Sequence, residues 1–462
     1  MNLKQNMKTR KKHSRKRIVT GWLFIIIGCL LVIWCIDRWD VWFYNPEELP
    51  YKAPEAPSRM LLTFGDADGK NRNVSWMCGE EVHPAALELV DDVDGGTSWV
   101  DAAGEVFESR GGKAAYYVAR LRDLKTGHFY RYRAWTGDEV SKWHSFLVPD
   151  DSDVSFLYVG DIQDSIGGVT NSLLKAAFRC NPDVEFLVCG GDLTERPIDA
   201  YWEESFAGLD SVGQSVPVLT VTGNHDYLKG VICKLERRFS LIHSYFLDSM
   251  IGENQVFTVR RGDVQIFCLD SNREFPYLWT QRKWLEEQLE QSKAKWKIVV
   301  LHHPLYSIKS ATNNLIQRWM FDDLVRQYGV DVVLQGHEHA YARMTHHNAE
   351  GKAIPPIYTV SHCSPKSYHI QFSDAFDKFG VGSRYYQKVH THRDTLFLTA
   401  YDATDGTLYD SLFVVKTATS TLLCDYGEDI PERLDFTPSP ESSKDAAFAE
   451  RIREYQEKKK KE

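Results

Sequence analysis

At 462 residues the chain is too long for one ordinary domain, and at about 150 residues per domain it divides into two or three. Its apolar (43%) and charged (26%) fractions are those of a folded globular protein and exclude a disordered, low-complexity one. The net charge of −9 hides an asymmetry: residues 1–17 hold eight Lys and Arg and no acid, so removing +8 from −9 leaves −17 for the rest. That balance argues against nucleic acid as the partner of the folded part.

After the basic segment 1–17, residues 18–36 are apolar apart from Thr20. At roughly 1.5 Å per helical residue this run is long enough to span a bilayer. No small-residue cleavage site follows, so an uncleaved signal anchor is expected, with the basic end in the cytoplasm and the rest extracytoplasmic, in the periplasm or on the cell surface. The alternative is cleavage, or lipidation at Cys29. Residues 37–58, with Pro50, Pro54 and Pro57, read as a semi-rigid spacer. Residues 59–150 carry short β-rich runs at 60–64, 73–78, 86–90, 114–121, 128–135 and 142–148, a spacing that predicts an all-β antiparallel sandwich without a catalytic cluster. Asn73-Val74-Ser75 spells a glycosylation sequon inside one of these runs, so it carries little weight.

From residue 151 to 416 strands alternate with amphipathic helices, expected near 170–180, 280–294 and 314–328. Hairpins turning at Gly262-Asp263 and Asp405-Gly406 add antiparallel strands, so the sheets are mixed and the class is α+β. Arg261-Gly262-Asp263 is read as a hairpin turn rather than an adhesion tripeptide. Residues 417–462 are expected to be a polar, solvated tail or helix. Seven cysteines outside the apolar segment, without CxxC spacing, read mostly as buried apolar residues.

Five strand-like runs in 151–416 end on metal-ligand side chains. They are Phe156–Val159 before Gly160-Asp161, Glu185–Cys189 before Gly190-Gly191-Asp192, Val218–Thr222 before Gly223-Asn224-His225, Ile298–Leu301 before His302-His303, and Val332–Gln335 before Gly336-His337-Glu338-His339. Sites in open α/β sheets lie outside the carboxyl ends of strands. Oxygen and imidazole donors without thiolate point to iron, manganese or zinc rather than to a thiolate-bound structural zinc.

This ordered set resembles the calcineurin-like metallophosphoesterases, and within them most of all the purple acid phosphatases, whose N-terminal fibronectin-like sandwich residues 59–150 would match. The resemblance covers residues 60–415, and Tyr328 to Arg343 is its closest stretch. It implies two mixed β-sheets packed as a sandwich flanked by helices. It also implies two transition-metal ions, with Asp161 and His339 on one, Asn224, His302 and His337 on the other, and Asp192 bridging. The implied activity is hydrolysis of phosphate monoesters by attack of a bridging hydroxide, with His225 contacting phosphate and assisting the leaving group. A phosphodiester substrate, or a non-catalytic envelope binding module with a degenerate metal site, are the alternatives.

Two departures stand out. The family's metal-binding tyrosine three residues after the bridging Asp is here Glu195, and a superfamily histidine two residues after the first Asp is here Gln163. Either supplies an oxygen ligand, or Glu195 makes a salt bridge to Arg196. His303 is read as a substrate-side residue or as packing. Among histidines outside the motifs, His362 is the one expected to approach the cleft, because it ends an apolar strand. Lys309, Asn313, Asn314 and Arg318 stand where family members keep substrate-pocket histidines, so a different pocket chemistry is expected.

Overall fold

The computed structural model describes residues 20, 22–151, 153–245, 247, 249–309 and 313–461. They divide into two compact units, one formed by the chain up to residue 46 together with 228–234, the other by 47–227 and 235–462.

The first unit contains a helical run over 22–37, exposed along its whole length, and a short helix Trp39–Phe43. No helix among the described residues is long and apolar enough to cross a membrane. Within the expected span 18–36, the described residues 22–36 are helical, apolar and exposed. Residues 1–19 and 21 lie outside the described residues. The spacer reading of 37–58 also gives way at its start, where Trp39–Phe43 is helical.

The second unit opens with an eight-stranded antiparallel sheet: β1 (Ser58–Phe64), β2 (Arg72–Met77), β3 (Ala85–Asp91), β4 (Thr97–Glu108), β5 (Lys113–Leu121), β6 (Phe129–Thr136), β7 (Glu139–Val140) and β8 (His144–Leu147). The first part of β4 pairs with β3 and the second part with β5, so one long strand links two halves over a shared core. Leu62, Val74, Trp76, Leu87, Tyr130 and Tyr132 fill that core. The six expected runs are all strands. β4 was missed because most of its residues are exposed and its apolar alternation is weak. Asn73 is fully buried and its Nδ2 donates to the carbonyls of Ser244 and Tyr245, so the sequon is closed to a glycan.

Next come β9 (Val154–Val159), β10 (Phe186–Cys189), β11 (Val218–Thr220) and the short strands β12 (Tyr227–Leu228) and β13 (Lys234–Leu235). They are followed by β14 (Phe257–Arg261), β15 (Val264–Cys268), β16 (Trp296–Leu301), β17 (Val332–Gln335), β18 (Tyr341–His347), β19 (Ala353–Val360) and β20 (Lys378–Gly380). The last strands are β21 (Tyr385–His392), β22 (Thr395–Asp402), β23 (Leu408–Lys416) and β24 (Thr421–Asp425). Two seven-stranded sheets result, ordered β11-β10-β9-β21-β22-β23-β24 and β14-β15-β16-β17-β19-β18-β20. Both are mixed: β9, β10 and β11 are parallel, as are β15, β16, β17 and β19, while the hairpins at the edges are antiparallel.

Side-chain alternation packs the sheets into a sandwich. Phe156, Tyr158, Val188, Leu219, Ile298, Val300 and Leu334 share one core between the sheets. Their neighbours Leu157, Val159, Leu187 and Cys189 face helices α1 (Thr170–Cys180) and α2 (Asp199–Leu209) on one outside. Val299, Leu301 and Val333 face, on the other, α4 (Phe275–Gln291) and α5 (Leu315–Gln327), which follow the short α3 (Arg237–Ile242). With both faces covered, these strands read as continuous apolar runs. Within 417–462 the helix alternative holds as α6 (Ser443–Lys459), but it is docked rather than solvated, burying Phe448, Ile452 and Tyr455, and β24 precedes it. Four of the seven cysteines outside the apolar segment are buried, while Cys180 and Cys233 are exposed.

Candidate metal centre

The five strand ends β9, β10, β11, β16 and β17 deliver Asp161, Asp192, Asn224, His302, and His337 with His339. The backbone there is contorted to aim these side chains. Asp161, Asp192, His337 and His339 all have positive φ (43°, 52°, 72° and 39°), a region costly for residues other than glycine and concentrated at functional sites. Close packing requires the neighbouring glycines. A Cβ on Gly336 would lie 2.4 Å from Asp161 Oδ2, and one on Gly223 would lie 2.1 Å from Asp192 Oδ1.

His302 Nε2 is the hub. It lies 3.3 Å from Asn224 Oδ1, from Asp192 Oδ2 and from His337 Nδ1, while its Nδ1 is held 2.8 Å from the Gly190 carbonyl oxygen. That carbonyl accepts from Nδ1–H, which orients the ring and turns Nε2 toward the cluster. Ligand atoms of Asp192, His302 and His337 all fall within 4.8 Å of one another. Alongside, His339 Nε2 lies 3.6 Å from Asp161 Oδ1, and Asp161 Oδ2 accepts from the His337 backbone N–H at 2.6 Å.

Burial sets the electrostatics. Burial alone would raise Asp192, but the His302 and His225 imidazoles outweigh it and hold the carboxyl well below its usual range. Burial alone would lower His302, but Asp192 and Asp161 hold it up at about 10. Burial and the imidazoles of His303 and His302 keep His337 well below its ordinary value.

The donor set fits metal ions. Asp161 Oδ1, His339 Nδ1 and both amide atoms of Gln163 are buried without a hydrogen-bond partner among the described residues, and such unpaired polar atoms are costly unless a ligand takes them. The two optional ligands part company here. Gln163 is 1% exposed with its amide unsatisfied, whereas Glu195 pairs with Lys366 and lies 3.7 Å from Arg196. Glu195 is thus ion-paired, to Arg196 as expected in the alternative and to Lys366 besides.

His225 lies beside the cluster, its Nε2 4.0 Å from Asp192 Oδ2. His225 Nδ1 is held between the Glu195 carbonyl oxygen (2.6 Å) and Arg196 Nη1 (2.7 Å), which leaves Nε2 on the side of the site. His303 is half-buried; its Nδ1 sits 3.0 Å from Ser271 Oγ and its ring lies 4.3 Å from that of His337, a tilted contact that orients a neighbour. His362 does approach the centre, stacked on His339 with ring centroids 5.3 Å apart.

Several site residues were not singled out from the sequence. Asp226 is fully buried and accepts from the backbone N–H of Asp192 (3.2 Å) and Gly223 (2.7 Å), so it clamps two ligand loops together. Its place directly after Asn224-His225 was the available signal. Glu338, between His337 and His339, accepts from the Ile308 N–H at 2.6 Å and the Lys309 N–H at 3.2 Å and so anchors the loop leaving β16. Tyr368 stacks on His339 at 4.3 Å, and Lys309 Nζ lies 4.2 Å from the Tyr368 ring centre. No local pattern marks Tyr368, because only the folded chain brings the loop after β19 to this edge.

The calcineurin-like phosphoesterase family matches residues 154–341. Purple acid phosphatase 18 of Arabidopsis thaliana is 24% identical over 349 residues, 72% of this chain and 74% of the relative. The phosphoenolpyruvate phosphatase of Allium cepa is 26% identical over 312 residues, 62% of this chain and 63% of the relative. Among solved structures, a purple acid phosphatase from yellow lupin seeds superposes with a TM-score of 0.65 at 17% identity, covering 84% of this chain and 78% of that one. The structure of PhoD does so with a TM-score of 0.56 at 14% identity, covering 87% and 98%.

Proposed function

The chain is a phosphoesterase hydrolase with a calcineurin-like phosphoesterase domain over residues 154–341, and from that premise we propose a membrane-anchored, dinuclear metal-dependent phosphatase acting on phosphate monoesters outside the cytoplasm. The observation that carries the metal reading is His302 Nε2, 3.3 Å from each of Asn224 Oδ1, Asp192 Oδ2 and His337 Nδ1. In this reading Asn224, His302 and His337 hold one ion, Asp161 and His339 hold the other with the Gln163 amide available beside them, and Asp192 serves both. Iron, manganese or zinc bound there supplies Lewis acidity toward phosphoryl oxygens and acidifies water at neutral pH. One plant relative is named as an Fe(3+)-Zn(2+) purple acid phosphatase.

The residues of the chain account for the remaining roles. Gly190 and Asp226 lock the ligand loops before substrate arrives, so little reorganisation is needed. His225, held by its Nδ1, presents Nε2 as the group that contacts phosphate and passes a proton to the leaving oxygen. A monoester is favoured by the relatives, one of which is named for phosphoenolpyruvate. Aryl phosphate and bis-aryl phosphate, assayed with added Mn, Zn and Fe, test this: faster turnover of the monoester is expected. Faster turnover of the diester would make the chain a phosphodiesterase. No turnover with metal bound would leave a binding module.

The anchor reading is supported by eight cations preceding an apolar run whose described part, 22–36, presents its large side chains to the outside. Protease added to sealed vesicles of known orientation should digest the catalytic domain and spare a tag at residue 1. The reverse pattern would refute the extracytoplasmic placement.

A further inference from the structure

The hairpin β12–β13 has an unusual tip. Its loop reads Lys229-Gly230-Val231-Ile232-Cys233-Lys234, with Val231 93% and Ile232 66% exposed, so two branched apolar side chains stand bare between two lysines. Water gives such a tip no reason to persist, since burying either side chain would be favourable.

The tip belongs to the same compact unit as the chain up to residue 46. The link is specific: Asn45 Nδ2 donates to the Lys229 carbonyl at 2.9 Å, and the Lys229 N–H donates to Asn45 Oδ1 at 2.8 Å. The Asn45 amide thus pairs with the loop backbone as a neighbouring strand would. Asn45 closes a segment rich in aromatics: Trp34 and Trp42 meet edge-on at 5.0 Å, Trp39 and Phe43 lie 4.6 Å apart, and Tyr44 is exposed. Such a girdle at the end of an apolar helix is the side-chain chemistry of the membrane–water interface. An apolar tip flanked by cations suits an anionic headgroup layer with acyl chains beneath it.

We propose that Val231 and Ile232 insert into an anionic bilayer surface beside the anchor, with Lys229 and Lys234 at the headgroups. The hairpin is then a second, shallow membrane contact. β12 begins at the residue after Asp226, so this contact is joined in sequence to the turn carrying Asn224 and His225. The proposal rests on the membrane-anchored reading above and adds to it a contact that the anchor does not require.

Cys233 makes the test direct, because it is exposed at the tip. In the full chain, with Cys29, Cys35, Cys180 and Cys424 replaced by alanine, an environment-sensitive fluorophore on Cys233 is read in vesicles containing phosphatidylserine. Bromine placed on the lipid acyl chains should remove roughly half of its emission or more, as expected for insertion about 5–10 Å deep. Emission identical in brominated and unbrominated vesicles would overturn the proposal. Val231→Asp with Ile232→Asp should abolish the quenching and leave kcat/KM on soluble aryl phosphate unchanged, showing a folded enzyme. Quenching retained in that variant would equally overturn the role of these two residues. Resistance to carbonate extraction reports the anchor separately. A chain that resists extraction but is not quenched keeps the anchor and loses the hairpin contact, while a chain released by carbonate loses both.

Discussion

Replacing Gly191 by alanine should cost the protein both stability and its site, by amounts that follow from its backbone angle and its close neighbours. Gly191 has φ +90°, and an added Cβ would lie 2.6 Å from Gly223 N and 2.9 Å from His302 Nδ1. The backbone term is about 1–2 kcal/mol for a Cβ in the left-handed region. The neighbours are ill placed to yield, since His302 Nδ1 is bound to Gly190 O at 2.8 Å and the Gly223 N–H donates to Asp226 at 2.7 Å. Overpacking of this kind adds about 1–3 kcal/mol. A shift of about 1 Å in His302 would lower the rate about 100-fold. Gly95→Ala is the control, because Gly95 also has positive φ, +71°, but nothing lies within 4 Å of its added Cβ. It should lose only the backbone term, about 1–2 kcal/mol, and no activity. Urea unfolding midpoints, metal content and kcat/KM on aryl phosphate, measured for both variants, separate the two contributions. If Gly191→Ala matches Gly95→Ala in activity and metal content, the claim that this glycine sets the position of His302 is refuted.

Three further outcomes are expected. Elemental analysis should find close to two transition-metal ions per chain, and Asp192→Asn should lose metal and activity together; a single ion, or an active mutant, defeats the bridging role. With Glu195 tied to Lys366 where a tyrosine would be needed, iron-loaded protein should lack an intense visible charge-transfer band; a strong band that Tyr368→Phe abolishes would show instead that the ring stacked on His339 supplies a phenolate. His243 is lowered to about 4 by burial, so below its unfolded value near 6.5 the unfolded state binds the extra proton; stability contributed by neutral His243 is present above that value and is lost as pH falls toward 4, by about 3 kcal/mol at most. His243→Asn should flatten that part of the pH–stability curve, and an unchanged slope would contradict the assignment.

The sequence alone determined the five strands that lead to the site and most of the candidate ligands, because each relevant signal is local. A β-rich run, a glycine and an Asp or His are neighbours in the chain, and both faces of a buried strand are apolar wherever its partners lie. Asp161, Asp192, Asn224, His302, His337 and His339 could be named from that pattern. The exposed strand β4 and the docking of helix α6 could not, since the first lacks apolar alternation and the second buries only Phe448, Ile452 and Tyr455 among charged residues.

Choices between side chains of similar chemistry were decided by tertiary structure. Gln163 and Glu195 are both oxygen donors near a ligand in sequence, yet only the folded chain brings Lys366 across to neutralise Glu195 and leaves the Gln163 amide unsatisfied. Tyr368 and Lys309 reach the centre because Lys309 and Ile370 form a bridge between two loops, a pairing set by the packing of whole sheets. The tip of β12–β13 is likewise an ordinary short apolar stretch in the sequence. Asn45 ties it to the segment after the apolar helix through two hydrogen bonds spanning 184 residues, and no local pattern encodes a contact at that separation.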